Sequence, residues 1–250
     1  MAQVRDKGYL MRMNAGSPSL PTPTWRVLPG LSDYAETLVA MEAHVDSMAR
    51  GTASEEIWLV EHPPVITAGT STSATDLLYP DRFPVVPTGR GGQFTYHGPG
   101  QRVVYPMLDL AKRGRDVRRY VAALEAWAIS ALEDMGVAAG ISTVGTGIWV
   151  SDAARAGRLA KIGAIGVRVR RWISFHGLAL NVSTDLSHFE AIVPCGVVGH
   201  GVARLIDLNA ERDMAALDRA LFNRLPIFLH CLSGKAPLDI KTLEAARDCS

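Results

Sequence analysis

Two residues carry the most pointed chemistry in this sequence, Cys195 and Lys161. Cys195 lies between Pro194 and Gly196, a rigid-then-flexible bend that can expose a side chain. Lys161 interrupts the apolar, small-residue run Leu159-Ala-Lys-Ile-Gly-Ala-Ile-Gly166. A free thiol with a pKa of about 8.5 is only about 3% ionised at pH 7. A nearby ammonium favours the thiolate, and a desolvated lysine can instead act as a neutral base. Only the fold can bring the two together. Taken alone, Lys161 reads rather as a strand-edge lysine whose ammonium reaches water, and Cys195 equally as a small buried hydrophobe. Cys231, inside Ile-Phe-Leu-His-Cys-Leu, and the terminal Cys249 read as incidental.

Two further segments resist a purely structural explanation. Arg90-Gly-Gly-Gln-Phe-Thr-Tyr-His-Gly-Pro-Gly-Gln101 sets Arg90, Gln93, Phe94, Thr95, Tyr96 and His97 in a glycine-rich corner. Gly91 and Gly92 let backbone approach a ligand or another strand closely. A hairpin corner would use the same glycines, but the arginine, threonine, tyrosine and histidine favour a binding wall. The Gly-Lys-Ser/Thr ending of a phosphate loop and the dinucleotide GxGxxG pattern are both absent from it. In Ser174-Phe-His-Gly-Leu-Ala-Leu-Asn181, His176 and Asn181 bracket a small-residue turn and an apolar strand.

The elements that must position these residues follow from pattern. Trp25-Arg-Val-Leu28 reads as a strand ended by Pro29-Gly30. Ser32 to Arg50 reads as a helix, with Leu31, Leu38, Met41, Val45 and Met48 on one stripe. Glu56–Glu61, Val65–Ala68, Pro84–Pro87 and Gln93–His97 read as extended. Asp116 N-caps a helix running to Met135, stopped by Gly136. Strands follow at Gly147–Val150, Leu159–Arg170 and Trp172–Val182, then a last helix from about Ala210 to Arg224 that stops near Pro226. This order predicts an α+β fold with a largely antiparallel sheet. Residues 1–23, rich in Ser, Pro, Thr and Gly towards their end, read as a disordered tail, 24–232 as one domain and 233–250 as a C-terminal tail.

Composition narrows the class. The 250 residues carry a net charge of +1, against a nucleic-acid binder that works by bulk positive potential. No apolar run reaches a membrane span, and the first residues lack a signal peptide's apolar core. Three widely spaced cysteines form neither a disulfide framework nor a metal pair, which fits a reducing cytoplasm.

Four segments, in order, resemble the lipoyl(octanoyl) transferase family: Arg90-Gly-Gly-x-x-Thr-Tyr-His-Gly-Pro-Gly-Gln101, Lys161-Ile-x-Ala-Ile-Gly166, Phe175-His-Gly-Leu-Ala-Leu-Asn-Val182 and Pro194-Cys-Gly196. The likeness runs from about Trp25 to about Leu208. It implies the fold of the biotin/lipoate protein ligase catalytic domain, a mixed, mostly antiparallel sheet flanked by helices. It also implies an acyltransferase that moves octanoyl from acyl carrier protein to a lysine of a lipoyl domain, in 2-oxoacid dehydrogenase complexes and the glycine cleavage H protein. By matching position, Cys195 is the acyl-accepting nucleophile and Lys161 the partner that lowers its pKa. Arg90 to His97, Ala164-Ile165-Gly166 and Gly177-Leu178-Ala179 are walls of the acyl pocket, with His176 and Asn181 in support. A thioester is already activated, so neither ATP nor a metal is expected. The buried chain would supply roughly 5 kcal/mol of gross binding at about 0.8 kcal/mol per CH₂. Basic clusters at Lys112, Arg113, Arg115, Arg118 and Arg119, and at Arg168, Arg170 and Arg171, are candidate docking patches for an acidic carrier. The sequence departs from the family's usual pattern at Thr70-Ser-Thr72 and at Val202-Ala-Arg-Leu205. An ATP-dependent ligase of the same fold and a non-catalytic lipoyl-domain binder are the alternatives.

Overall fold

A computed structural model describes residues 20–152, 158–193, 200–208 and 213–233. The chain runs β1 (Thr24–Leu31), α1 (Tyr34–Ala49), β2 (Glu56–Glu61), β3 (Val65–Ala68), β4 (Val85–Pro87), β5 (Thr95–His97), β6 (Gln101–Met107), α2 (Val117–Asp134), β7 (Ala139–Gly140), β8 (Ile148–Ser151), β9 (Leu159–Arg170), β10 (Ile173–Asn181), β11 (Gly201–Val202) and α3 (Met214–Ser233). The main sheet has the order β1-β2-β6-β10-β9-β8-β7, with β11 added beside β9. Its ladders are antiparallel except β1–β2 and β11–β9. A small sheet, β4-β3-β5, lies apart from it. The expected mixed, mostly antiparallel sheet flanked by helices is what the chain forms.

Strand alternation sorts the core into two faces. Ile57, Leu59, Val104, Leu178 and Leu180 point to α2 and α3, where the Trp127 and Phe228 rings stack at 4.6 Å. Trp58, Val60, Val103, Tyr105 and Phe175 point the other way, onto Met41 and Val45 of α1. Both of the first two helices are capped by aspartate: Asp33 accepts from the Glu36 amide and Asp116 from the Arg119 amide, each at 3.0 Å. Such a cap satisfies an amide that the first helical turn leaves without a partner.

Three elements differ from their sequence patterns. β1 does not end at Pro29-Gly30. It continues to Leu31 through an irregularity after Val27, with Gly30 at φ +65°. β6 gave no strand pattern, since Gln101 and Arg102 open it and Pro106 lies near its end, yet all seven residues are buried at the centre of the sheet. Its Arg102 survives burial by forking onto Asp218 of α3, at 2.8 and 2.9 Å. The last helix passes through Pro226 to Ser233. An internal proline costs about 3 kcal/mol, but Leu225, Phe228 and Leu232 are buried beyond or beside it, each contributing roughly 1.5–3 kcal/mol.

In the first basic cluster Lys112, Arg115 and Arg118 are exposed, while Arg113 is not. Arg113 is buried and forks onto Glu55, at 2.6 and 2.7 Å. Lys112 pairs with Asp109, Arg119 donates to the Cys231 carbonyl, and Arg115 sits over the Trp172 ring. In the second cluster, Arg168 faces Glu42 and Arg170 pairs with Asp46. Cys231 is buried, as its surroundings led us to expect.

Arg113 and Glu55 give a direct test. Arg113→Met strands a largely buried carboxylate and is expected to lower unfolding stability by about 3 kcal/mol. Arg113→Met combined with Glu55→Gln should recover part of that loss in urea titrations. Equal losses in the single and double variants would show that the pair is not what holds this corner.

Candidate active site

A cavity of about 300 Å³ opens on the α1 side of the main sheet, where the small sheet stands off from it. Its walls come from distant parts of the sequence. The loop before β5 supplies Arg90, Gly92, Gln93 and Phe94, and β5 itself supplies Thr95 and His97. β9 supplies Lys161, Ala164, Ile165 and Gly166; β10 supplies His176, Gly177, Leu178 and Ala179. Most of the pocket residues read from sequence therefore converge on one cavity.

The exceptions have physical reasons. Alternation along β5 turns Tyr96 away from Thr95 and His97. Its hydroxyl meets His188 Nδ1 at 2.7 Å, in a cluster with Phe83 and Phe189. Gly91 stitches the loop to β9, its amide donating to the Val167 carbonyl at 2.9 Å. Asn181 stands behind the wall, in a polar chain described below. Cys195, with its neighbours Pro194 and Gly196, lies outside the described residues.

Glycine makes several of these approaches possible. A Cβ on Gly177 would fall 2.1 Å from the Val104 carbonyl oxygen, and one on Gly166 would press on Arg90. Arg90 is buried and grips Thr67 of β3, through the carbonyl at 2.8 Å and the hydroxyl at 2.7 Å, so the loop is clamped to the small sheet.

Lys161 is buried, at 7% exposure. Its ammonium donates to the Thr146 carbonyl at 3.0 Å and lies 4.7 Å from the Trp149 ring centroid. Gly147, at φ +133°, leaves the room: a Cβ there would crowd Lys161 Cε at 3.3 Å. No carboxylate lies within ion-pair distance of Lys161 among the described residues. On its other side β11 pairs Val202 with Lys161, and the Ala203 amide donates to the Lys161 carbonyl.

The histidines and tyrosines of the inner wall form an ordered polar set. His62, 0% exposed, donates from Nδ1 to the Ser32 carbonyl at 2.6 Å, so its Nε2 accepts from the Tyr105 hydroxyl at 2.8 Å. The Ala203 and Tyr96 carbonyls can only accept, which orients the amides that reach them. Asn181 Nδ2 donates to Ala203, and Gln101 Nε2 donates to Tyr96 and to Asn181 Oδ1. Gln101 Oε1 then accepts from His97 Nδ1 at 2.6 Å, which leaves the His97 Nε2 lone pair bare. Burial first, then the repulsion a protonated His62 would exert, pushes His97 down to about 3, so it is neutral at pH 7. Burial raises Tyr34, stacked on His97, to about 12. Sequence reasoning missed Tyr34, His62, Gln101 and Tyr105. The sequence signals were a histidine fixed by Pro63-Pro64 and a glutamine opening an apolar run.

His176 departs from its strand. It sits at φ +56° in β10, outside the range a side-chain-bearing residue usually occupies. The register that pairs Leu178 with Val104 and Ile173 with Asp109 places Pro106 opposite it. Proline has no N–H to donate, so the β6–β10 ladder breaks there. Such a conformation costs of order 1–3 kcal/mol and has to be held by its surroundings. Burial first, then Arg90 and Arg168, lowers the ring to about 3.

Both low values have a stability consequence. Between pH 6.5 and about 3, the folded chain binds fewer protons at His97 and His176 than the unfolded chain does. Their stabilisation is complete above pH 6.5 and is lost as pH falls through that window, by up to about 1.4 kcal/mol per pH unit for each ring. Urea midpoints should drop between about pH 7 and about pH 5, and His97→Gln should flatten the slope. A slope equal to wild type in that variant would refute the assignment.

A family model, the lipoyl protein ligase A/B catalytic domain, matches residues 33–225. The chain is 57% identical over 203 residues to the octanoyltransferase of Cereibacter sphaeroides, covering 79% of this chain and 93% of the relative. It is 56% identical over 205 residues to that of Rhizorhabdus wittichii, covering 82% and 91%. In fold it is similar to the bipartite lipoate protein ligase of Thermoplasma acidophilum, with TM-score 0.62 and 15% identity over 83% of this chain and 84% of that one. It is also similar to lipoate-protein ligase A bound with ATP, with TM-score 0.61 and 16% identity over 83% and 86%. Matched along most of its length and more than half identical to curated relatives, the chain belongs to the lipoyl protein ligase A/B catalytic-domain family.

Proposed function

We propose that this protein transfers an octanoyl group from acyl carrier protein to the lysine of a lipoyl domain, through a thioester on Cys195. One observation carries the reading: a buried lysine, with no carboxylate within ion-pair distance among the described residues, stands on the cavity wall beside the strand that follows Cys195. Val193 is bonded to the Asp76 carbonyl at 2.8 Å and Val202 is paired with Lys161. The octanoyltransferase relatives support the acyl group.

The reaction is two displacements. The Cys195 thiolate attacks the octanoyl thioester carbonyl; the carrier's thiolate leaves and takes a proton from the Lys161 ammonium, which leaves that amine neutral for the second step. The lipoyl-domain amine then attacks the acyl-enzyme. It loses a proton, which Lys161 accepts in its neutral form, and Cys195 leaves as thiolate. Splitting one difficult acyl transfer into two is what a covalent nucleophile contributes. The apolar stretch of wall at Val103, Ala164, Ile165, Leu178 and Ala179 shelters the hydrocarbon. Among the described residues no group of histidine, cysteine and carboxylate could hold a metal, and no helix is long and apolar enough to cross a membrane. The reading needs neither a metal nor ATP and places the reaction in the cytoplasm. The acceptors are lipoyl domains of 2-oxoacid dehydrogenase complexes and the glycine cleavage H protein.

Incubation with octanoyl-carrier and no ATP should add one octanoyl group, mapped to Cys195 by peptide mass, and a lipoyl domain should discharge it. Lys161→Ala should slow acylation by about a hundredfold or more. Full transfer by Cys195→Ser, or transfer only when ATP is supplied, would replace this mechanism with that of an adenylating ligase.

A further inference from the structure

We propose that His176 reads the far end of the acyl chain, accepting an eight-carbon terminus or one that carries a hydroxyl and disfavouring a longer hydrocarbon; this rests on the octanoyl-transfer reading above. By strand alternation the His176 ring belongs with Leu178 and Leu180, on the face packed by α2 and α3. It is instead stacked on its own neighbour Phe175, at 5.0 Å and 25°, and meets Tyr105 edge-on at 6.3 Å. Phe175 and Tyr105 both belong to the opposite face. The left-handed backbone at His176 therefore carries the ring through the strand and into the cavity.

The cavity has a mouth and a floor. Ser71, Gly92, Val144 and Thr146 are exposed, and Lys161 bonds to Thr146. His176 is 1% exposed, and its neighbours Tyr105 and His97 are buried as well. His176 pairs with Val167, six residues beyond Lys161 on β9. That is roughly 20 Å of strand, shortened by the reach of the two side chains. A thioester held at Lys161 thus sends its hydrocarbon toward His176.

What distinguishes His176 on that floor is its bonding. His62 makes two hydrogen bonds, His97 is fixed by Gln101, and Tyr105 is bonded to His62. Neither nitrogen of the His176 ring has a hydrogen-bond partner among the described residues. A neutral imidazole offers one donor and one acceptor. A hydroxyl on the last carbon of the chain satisfies either. A hydrocarbon satisfies neither: both nitrogens are already out of reach of water in the folded chain, so a longer chain is seated here only by displacing the ring, with no hydrogen bond to offset the displacement.

The test compares kcat/KM for acyl-enzyme formation with octanoyl-, decanoyl- and 8-hydroxyoctanoyl-carrier. The proteins are wild type, His176→Gly and His176→Asn. Glycine removes the ring without backbone strain, and asparagine tolerates the left-handed conformation while keeping a donor and an acceptor. Each ratio is internal to one protein, so the folded fraction cancels and a merely structural role leaves the ratios unmoved. In wild type the decanoyl-to-octanoyl ratio should be about tenfold or more below one. His176→Gly should raise that ratio about tenfold and lower the 8-hydroxyoctanoyl-to-octanoyl ratio, with His176→Asn closer to wild type. Ratios unchanged in His176→Gly, with wild type still transferring octanoyl, overturn the role of His176. A wild type inert toward octanoyl-carrier overturns the functional reading and this inference together.

Discussion

The side-chain amide of Gln101 is the joint on which the site depends. It is buried at the first residue of β6 and faces three partners at once: the His97 ring and the Tyr96 carbonyl of β5, and Asn181 of β10. Asn181 passes the chain to Ala203, whose amide is bonded to the Lys161 carbonyl. One run of hydrogen bonds therefore links the small sheet, three strands of the main sheet and the strand after Cys195. A buried amide with an unmet group costs about 1–3 kcal/mol, so each member fixes the orientation of the next. Two consequences matter for chemistry. The His97 tautomer is set without any charged partner, and the backbone carrying Lys161 is held on both edges.

That polar joint explains the shape of the cavity. The two sheets meet through hydrogen bonds at Gln101 and through the Gly91 amide on the Val167 carbonyl of β9. Elsewhere the small sheet has its own core of Ile66, Phe94, Tyr96, Phe189 and Ile192. Close packing would otherwise fill the space between the sheets with side chains. Glycines at 166 and 177 keep it open, since a methyl at either position meets backbone or Arg90. The result is a pocket with apolar walls and an inner end of aromatic and imidazole rings.

Much of the fold was legible because local and tertiary preferences agree. Asp116 as cap, the stripe from Tyr120 to Leu132 and Gly136 at φ +76° fix α2 almost to the residue. β9 and β10 were legible as strands, although their two-residue turn, Arg171-Trp172, holds both residues at positive φ without glycine or asparagine. What could not be read has a common cause. β6 opens with polar residues that only a partner distant in sequence can satisfy, Asn181 for Gln101 and Asp218 for Arg102. α3 crosses Pro226 because burial against α2 outweighs one missing hydrogen bond. In the site, Lys161 and the walls were visible as residue types out of place in their strands. Tyr34, His62 and Tyr105 were not, because each looks like ordinary core until its partners are known.

Pro106 shows how one residue can serve both fold and site. In a central strand a proline removes a ladder bond and is normally excluded. Here it faces the position where β10 leaves ordinary strand geometry, and a Cβ on the next residue, Gly177, would fall 2.7 Å from the proline ring. The pair makes a short stretch in which β10 need not alternate. An intact ladder would have directed the His176 ring toward α2 and α3, into a core of leucine and tryptophan where an imidazole finds no partner. With the ladder broken, the ring reaches the cavity face, and the backbone strain is confined to one residue held between Phe175 and Tyr105. A defect in the sheet is thus what lets a polar group stand at the inner end of an apolar pocket.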